Sequence, residues 1–276
     1  MEDEQIRQLL VEFKNSQHYI QVHPRRMQRH QYNSAWIKPD KIKAMSDDEL
    51  RQKFIEYYSG GEGRQSLNQI WRGRIIRDVP KFRDTLLYLL DEGVPVKERF
   101  TNVVSSNGSK HIDGFGRALA SAFLMSSNLE KYCLWNNKTE MGLSVLGWSL
   151  PYRSNDDEGV KYVKILEQLS RLRDDLGSGL GLSFDEIDQF LHWISAEEEG
   201  INVVRRIIGE KPLPEGVTVE APEERFVQQL IERNFDNIFS PLNLKLYDED
   251  PEQTGAQYST PIGRMDFLAV DKNTRD

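Results

Sequence analysis

An aspartate stands inside an alternating apolar run near the end of the sequence: GRMDFLAVD, residues 263–271, with Asp266 in its interior. A carboxylate in a strand interior costs free energy unless a cation, a hydrogen-bond donor or a metal ion compensates it. Arg264 stands two residues earlier. Its planar guanidinium donates two parallel hydrogen bonds, which suits a phosphate or a carboxylate. Asp266 therefore reads either as a metal ligand or as the structural partner of Arg264 or of a helix N-terminus.

Two further stretches could do chemistry. HIDGFGRALASAFLMSS, residues 111–127, places Gly114, Gly116 and Arg117 just before a helical pattern with small residues at Ala118, Ala120, Ser121 and Ala122. Glycines let the backbone turn tightly, and the N–H groups at the start of the next helix can face a phosphate oxygen. A ligand-free helix–helix turn would look the same. HPRRMQRHQY, residues 23–32, holds Arg25, Arg26 and Arg29 flanked by His23, His30 and Tyr32. A basic stretch with aromatics can track a phosphate backbone, or it can be a solvated loop. The histidines lack a metal-ligand spacing. GSGLG, residues 177–181, is no phosphate loop, because no Gly-Lys-Ser/Thr follows it and no strand precedes it.

The elements that must position these groups are mostly helical. Ile6, Leu9, Leu10 and Phe13 recur at helical spacing. Residues 21–40, broken by Pro24 and Pro39, read as loop with short elements. Ser46 with Glu49 three residues on is a capping-box spacing, and that helix should stop at Gly60. Helices follow at 66–78 and 80–93, where Pro80 suits a first turn and Gly93 a C-cap. Further helices are expected at 115–128, 137–147, 157–177 and 184–198. The fifth of these six has an apolar stripe at Val160, Val163, Leu166, Leu169 and Leu172. Pro212, Pro214 and Pro222 mark a linker. Beyond it come a helix, EERFVQQLIERNFDNIF, and two strand-like runs, NLKLY and GRMDFLAVD. The expected fold class is thus mostly α. Residues 1–210 form a multi-helical region, 211–222 a linker, and 223–276 the first helix and strands of an α/β module.

Composition bounds the partners. The 276 residues carry a formal charge of -8 and a mean hydropathy of -0.62, with no apolar run long enough to span a membrane. The acidic N-terminus is no signal peptide. One cysteine, Cys133, excludes an internal disulfide and a Cys-based zinc site, and fits the cytoplasm. The charge is uneven: residues 21–83 hold 14 Lys/Arg against 7 Asp/Glu, and residues 197–252 hold 14 acids against 6 bases. Such asymmetry fits a basic nucleic-acid face.

The last 55 or so residues resemble the start of the nuclease domain of NucS-like endonucleases, in the PD-(D/E)XK superfamily. The likeness is carried by the helix EERFVQQLIERNFDNIF, by LKLYDED, and by Gln257, Tyr258, Thr260, Gly263, Arg264 and Asp266. In that family the strand aspartate binds metal, a glutamate comes from the preceding helix, and the next strand carries Glu-x-Lys. The resemblance implies a restriction-endonuclease-like domain with Mg²⁺ or Mn²⁺ held by Asp266 and by Glu224 or Glu223. Gln257, Tyr258 and Arg264 would face DNA. Mg²⁺ prefers such hard oxygen donors, and a bound metal activates water and neutralises phosphate charge. The Glu-x-Lys strand does not follow Asp266. The chain is therefore expected to be a fragment of a longer protein or an inactive, truncated relative.

The stretch 111–127 resembles a helix-hairpin-helix DNA-binding element, with Gly114, Gly116 and Arg117 as contacts. Asn136 and Asn137 stand where helix-hairpin-helix glycosylases carry a catalytic aspartate, and an amide is no carboxylate base. The same region also resembles McrB-like restriction proteins, which would offer Tyr132 and Trp135 for stacking; core packing is the competing role. The resulting expectation is a DNA-binding protein with the opening of a metal-dependent endonuclease domain, with restriction or defence as the role it would fit. The alternative is a non-catalytic helical DNA- or protein-binding module. DNA, a second copy of the chain and a partner ATPase fit as partners; a membrane does not.

Overall fold

The computed structural model describes residues 1–59 and 69–211. It also describes the backbone of strand segments 244–246, 256–260, 263–267 and 269–271. The chain divides into two units, Met1–Glu215 and Gly216–Asp276. Among the described residues the fold is mostly helical, and no helix is long and apolar enough to cross a membrane.

The first unit opens with α1, Asp3–Asn15, whose Ile6, Leu9, Leu10 and Phe13 are fully buried, as their spacing predicts. Ser16 ends α1 and caps α2, accepting a hydrogen bond from the Tyr19 N–H at 3.0 Å. α2 runs unbroken from Gln17 to Trp36, with Pro24 inside it. The loop expected over residues 21–40 is therefore replaced by a long helix and a short one, α3, Pro39–Ala44. A proline inside a helix costs about 3 kcal/mol, and here tertiary anchors outweigh it. Arg26 is tied to two carboxylates, and Asn33 and Trp36 are buried.

α4, Asp47–Ser59, begins at the expected capping box: the Ser46 N–H reaches Glu49 Oε2 at 2.7 Å and the Glu49 N–H reaches Ser46 Oγ at 3.2 Å. α5, Gln69–Ile75, and α6, Val79–Leu89, follow, with Pro80 in the first turn of α6. α6 ends before Gly93, whose N–H instead closes a turn onto Asp91 Oδ1. α7 is Val96–Val104, α8 Arg117–Ser127 and α9 Asn137–Val145. α10, Glu158–Ser170, runs into one π-helical segment, Arg171–Leu176. α11 is Phe184–Ala196 and α12 Glu198–Ile207.

One apolar core links α1, α2, α4, α6–α8 and α10–α12. α10 packs on α7, and α9 on α11. Gly159 lets the α10 backbone meet α7, since a Cβ there would stand 1.8 Å from the Lys97 carbonyl oxygen. The face α10 buries is Tyr162, Ile165 and Leu169, continued by Leu172, which keeps only Leu169 and Leu172 of the expected stripe. Val160, Val163 and Leu166 are only half-buried. Steps of three residues fall about 60° short of a full turn each time, whereas alternating steps of three and four stay on one side. Tyr162 stacks on Phe100 at 4.2 Å between ring centres.

In the second unit, β1, Leu244–Leu246, pairs antiparallel with β4, Ala269–Asp271. β2, Ala256–Thr260, pairs antiparallel with β3, Gly263–Phe267. The run 263–271, expected as one strand, is thus shared between two separate strand pairs. The linker over 212–222 and the helix over 223–239, with Glu223 and Glu224, lie outside the described residues.

Candidate functional site

Asp266 lies in β3, and the hairpin register fixes its neighbours. Thr260 pairs with Gly263, Ser259 with Arg264, and Tyr258 with Met265. Alternation puts Arg264 and Asp266 on one face of β3 and Met265 on the other. The register of Ser259 with Arg264 places β2 residues 257 and 259 on that same face, so Gln257 shares it and Tyr258 does not. The expected partners of Asp266, Glu223 and Glu224, lie outside the described residues. Among the described residues, no group of three or more His, Cys, Asp or Glu could hold a metal ion.

The stretch 111–127 forms the end of the α7–α8 connection and α8 itself. That connection spans twelve residues, 105–116, with its own turns. The Gly108 N–H bonds the Ser105 carbonyl at 2.8 Å, and the Phe115 N–H bonds the Ile112 carbonyl at 2.9 Å. Gly114 has φ 86°, a left-handed conformation that favours glycine. Gly116 is the N-cap of α8. Phe115 is driven into the core, 5.8 Å from Phe123, and pins the turn.

Arg117 is already engaged within the fold. Its Nη1 meets Glu140 Oε1 at 2.8 Å, its Nη2 donates to Asn137 Oδ1 at 2.9 Å, and it lies over the Trp135 ring at 4.7 Å. Trp135 and Tyr132 are core residues, buried and bonded to Glu140 and Glu92 respectively. Asn136 is the N-cap of α9, its Oδ1 accepting the Thr139 N–H at 3.0 Å. The amide that cannot act as a base thus has a structural task. Burial pushes the Cys133 thiol up to about 12, so it is an inert core residue.

The basic residues of α2 part company. Arg25 is exposed and Arg29 half-buried. Arg26 turns inward: its Nη2 lies 2.7 Å from Asp185 Oδ1 and 2.6 Å from Asp188 Oδ2, and its Nε donates to Asp185 Oδ1 at 3.0 Å. The expected phosphate contact at Arg26 is thereby replaced by an internal triad joining α2 to α11. Burial raises the Asp188 carboxyl, and Arg26 and Lys138 oppose that rise. Beside it, Glu186 accepts from Lys14 and Tyr19, both at 2.6 Å. Burial lowers His18, His23, His30 and His192, the last to about 4. These histidines are half-buried, and their lowered values keep them neutral near pH 7.

A depression of about 550 Å³ opens where the α5–α6 junction meets the α7–α8 connection. Arg74, Arg77, Asp78, Lys81, His111 and Asp113 surround it, over a floor of buried Ile75 and Ile112. None of its cations was singled out from the sequence. The only signal there was the basic excess of residues 21–83.

Comparison with known protein families, with characterised proteins and with solved structures returns no match for this chain.

Proposed function

We propose that this chain is a DNA-binding protein whose last 55 or so residues open a metal-dependent endonuclease domain. The reaction of the completed domain is in-line attack of metal-bound water on a phosphodiester. The observation carrying this is the β2–β3 register: it gathers Asp266, Arg264 and Gln257 on one face of a hairpin. A metal ligand, a bidentate phosphate donor and an amide on one face are the parts a phosphodiester site needs. Asp266 would hold Mg²⁺ or Mn²⁺ with Glu224 or Glu223, and the metal would activate water and neutralise phosphate charge. Arg264 would orient the phosphate. Tyr258 pairs with Met265 at the alternate register position of the hairpin.

Two measurements test this. Mn²⁺ titration followed by electron paramagnetic resonance should show binding that Asp266→Ala abolishes and Asp266→Glu partly keeps. Fluorescence anisotropy should show duplex binding at low salt that weakens steeply as salt rises. In a form carrying a Glu-x-Lys strand after Asp266, cleavage should need Mg²⁺ or Mn²⁺ and vanish in Asp266→Ala. Unchanged Mn²⁺ binding in Asp266→Ala overturns the metal assignment. Metal-dependent cleavage that survives that substitution overturns the catalytic one.

The alternative, a non-catalytic helical binding module, is favoured by one observation. Arg117, Trp135 and Tyr132 are bound into the helical unit's own interactions, leaving them structural. DNA binding without metal binding would select it.

A further inference from the structure

We propose that the depression between the α5–α6 junction and the α7–α8 connection is a phosphodiester-binding site for a nucleic-acid backbone. The proposal rests on the DNA-binding reading above and adds the residues that make the contact.

Two independent features meet there. One is the cations. Arg74 and Arg77 come from the end of α5 and the residues after it, and Lys81 from the first turn of α6. Among the described residues the side chains of Arg77 and Lys81 have no ion-pair partner. Nearby basic side chains are engaged: Arg83 with Asp47 at 2.9 Å, Lys110 with Asp84 at 2.6 Å, and Arg117 with Glu140. The other feature is the turn itself. Ile112 and Asp113, which line the depression, run directly into Gly114 with its φ of 86°. The turn that resembles a phosphate-binding hairpin therefore forms one wall of the basic depression.

The charges favour a phosphodiester over a more highly charged anion. Three cations face two carboxylates, Asp78 and Asp113. Both carboxylates are already occupied by donors. Asp78 Oδ1 caps α6 by accepting the Lys81 N–H at 2.9 Å, and Asp113 Oδ1 lies 3.3 Å from His111 Nε2. Asp78 and Asp113 are exposed beside the cations and repel a phosphomonoester dianion about twice as strongly as a singly charged diester.

The walls also favour a backbone over a free nucleotide. Among the described lining residues the one ring is the His111 imidazole, and its two nitrogens lie 3.3 Å from the Val103 carbonyl oxygen and from Asp113 Oδ1, which holds it within the turn. Among the described residues the depression's apolar lining is Ile75 and Ile112, 1% and 7% exposed, which form the floor. An open, cationic depression with no Phe, Tyr or Trp among its described lining residues contacts phosphate and ignores sequence, the pattern of backbone-positioning contacts.

The test compares wild type with Arg77→Gln/Lys81→Gln in fluorescence anisotropy on labelled duplexes of two unrelated sequences, across a salt series. A charge-matched control, Arg51→Gln/Lys97→Gln, removes two exposed cations elsewhere. All the changed side chains are exposed, and melting curves check that each variant is folded. The expected result is a several-fold loss of affinity, equal for both sequences, in the Arg77/Lys81 variant alone. The slope of log K against log salt should fall by about 1, the value for one lost phosphate contact. If wild type binds and both variants match it in affinity and slope, the site is wrong while DNA binding stands. If only one sequence is affected, the contact is to a base and the proposal fails. If wild type binds no nucleic acid at low salt, the DNA-binding reading fails and takes the site with it. Inorganic phosphate is the second arm. If phosphate alone binds, in wild type and not in Arg77→Gln/Lys81→Gln, the depression serves a small anion and the proposal is overturned.

Discussion

Replacing Arg26 by methionine removes a charge while keeping a side chain of similar reach along α2. Arg26 bridges Asp185 and Asp188, whose side chains are 7% and 11% exposed, so the variant strands two carboxylates with little solvent. Two like charges in that setting cannot both persist, and Asp188, already raised by burial, takes up a proton. Neutralisation limits the penalty. About three pH units separate pH 7 from the ordinary carboxylate range, and each is worth about 1.4 kcal/mol. The electrostatic loss is therefore capped near 4 kcal/mol at pH 7 and near 1.4 kcal/mol at pH 5. Urea unfolding followed by circular dichroism at both pH values measures it. Arg26 also helps to lower His18, His23 and His192, so both proteins are compared with those three histidines replaced by glutamine. A loss below about 1 kcal/mol at pH 7, or an equal loss at both pH values, would refute the account of the triad. DNA affinity measured where the variant is folded should not change; a fall would return Arg26 to the phosphate contact suggested by its neighbours in sequence.

Other outcomes follow from single features. Gly159→Ala would drive a methyl group into the Lys97 carbonyl at 1.8 Å, and calorimetric melting should show a loss of about 3 kcal/mol or failure to fold. His18, His23, His30 and His192 have lowered pKa values, so their stabilising effect is fully present above about pH 6.5 and is lost as pH falls, for His192 down through about 4. Melting temperature should decline over that window, and His192→Gln should flatten the decline. Cys133 should resist a thiol reagent in the native protein and react fully in urea, because burial holds its thiol at about 12; rapid native labelling would contradict its place in the core.

The sequence was most legible where a signal is local. The α1 stripe, the Ser46–Glu49 box and the glycine-bearing turn near residue 114 each rest on residues within a few positions of one another. α10 shows the limit of reading apolar residues alone. Tyr162 and Ile165 point inward because alternation of three and four keeps a face, while the evenly spaced valines drift off it. The Pro24 break misled for another reason. What holds α2 together is Asp185 and Asp188, 159 and 162 residues away, and no window along the chain contains both ends of that triad. The cations of the depression were hidden similarly. Arg77 and Lys81 sit in unremarkable stretches and acquire a shared setting only when His111 and Asp113 fold beside them. The candidate hairpin residues were named from motif alone, and the register then separated Tyr258 from the rest.

The guanidinium of Arg117 over the Trp135 indole has a practical consequence. Arg117 is the first residue of α8, directly after the turn beside the basic depression, and Trp135 is sealed in the core with its Nε1–H on Glu140. Any displacement of that turn alters the electric field at one buried chromophore. With Trp36, Trp71, Trp148 and Trp193 replaced by phenylalanine, the emission colour of Trp135 becomes an intrinsic optical gauge of the turn that needs no label.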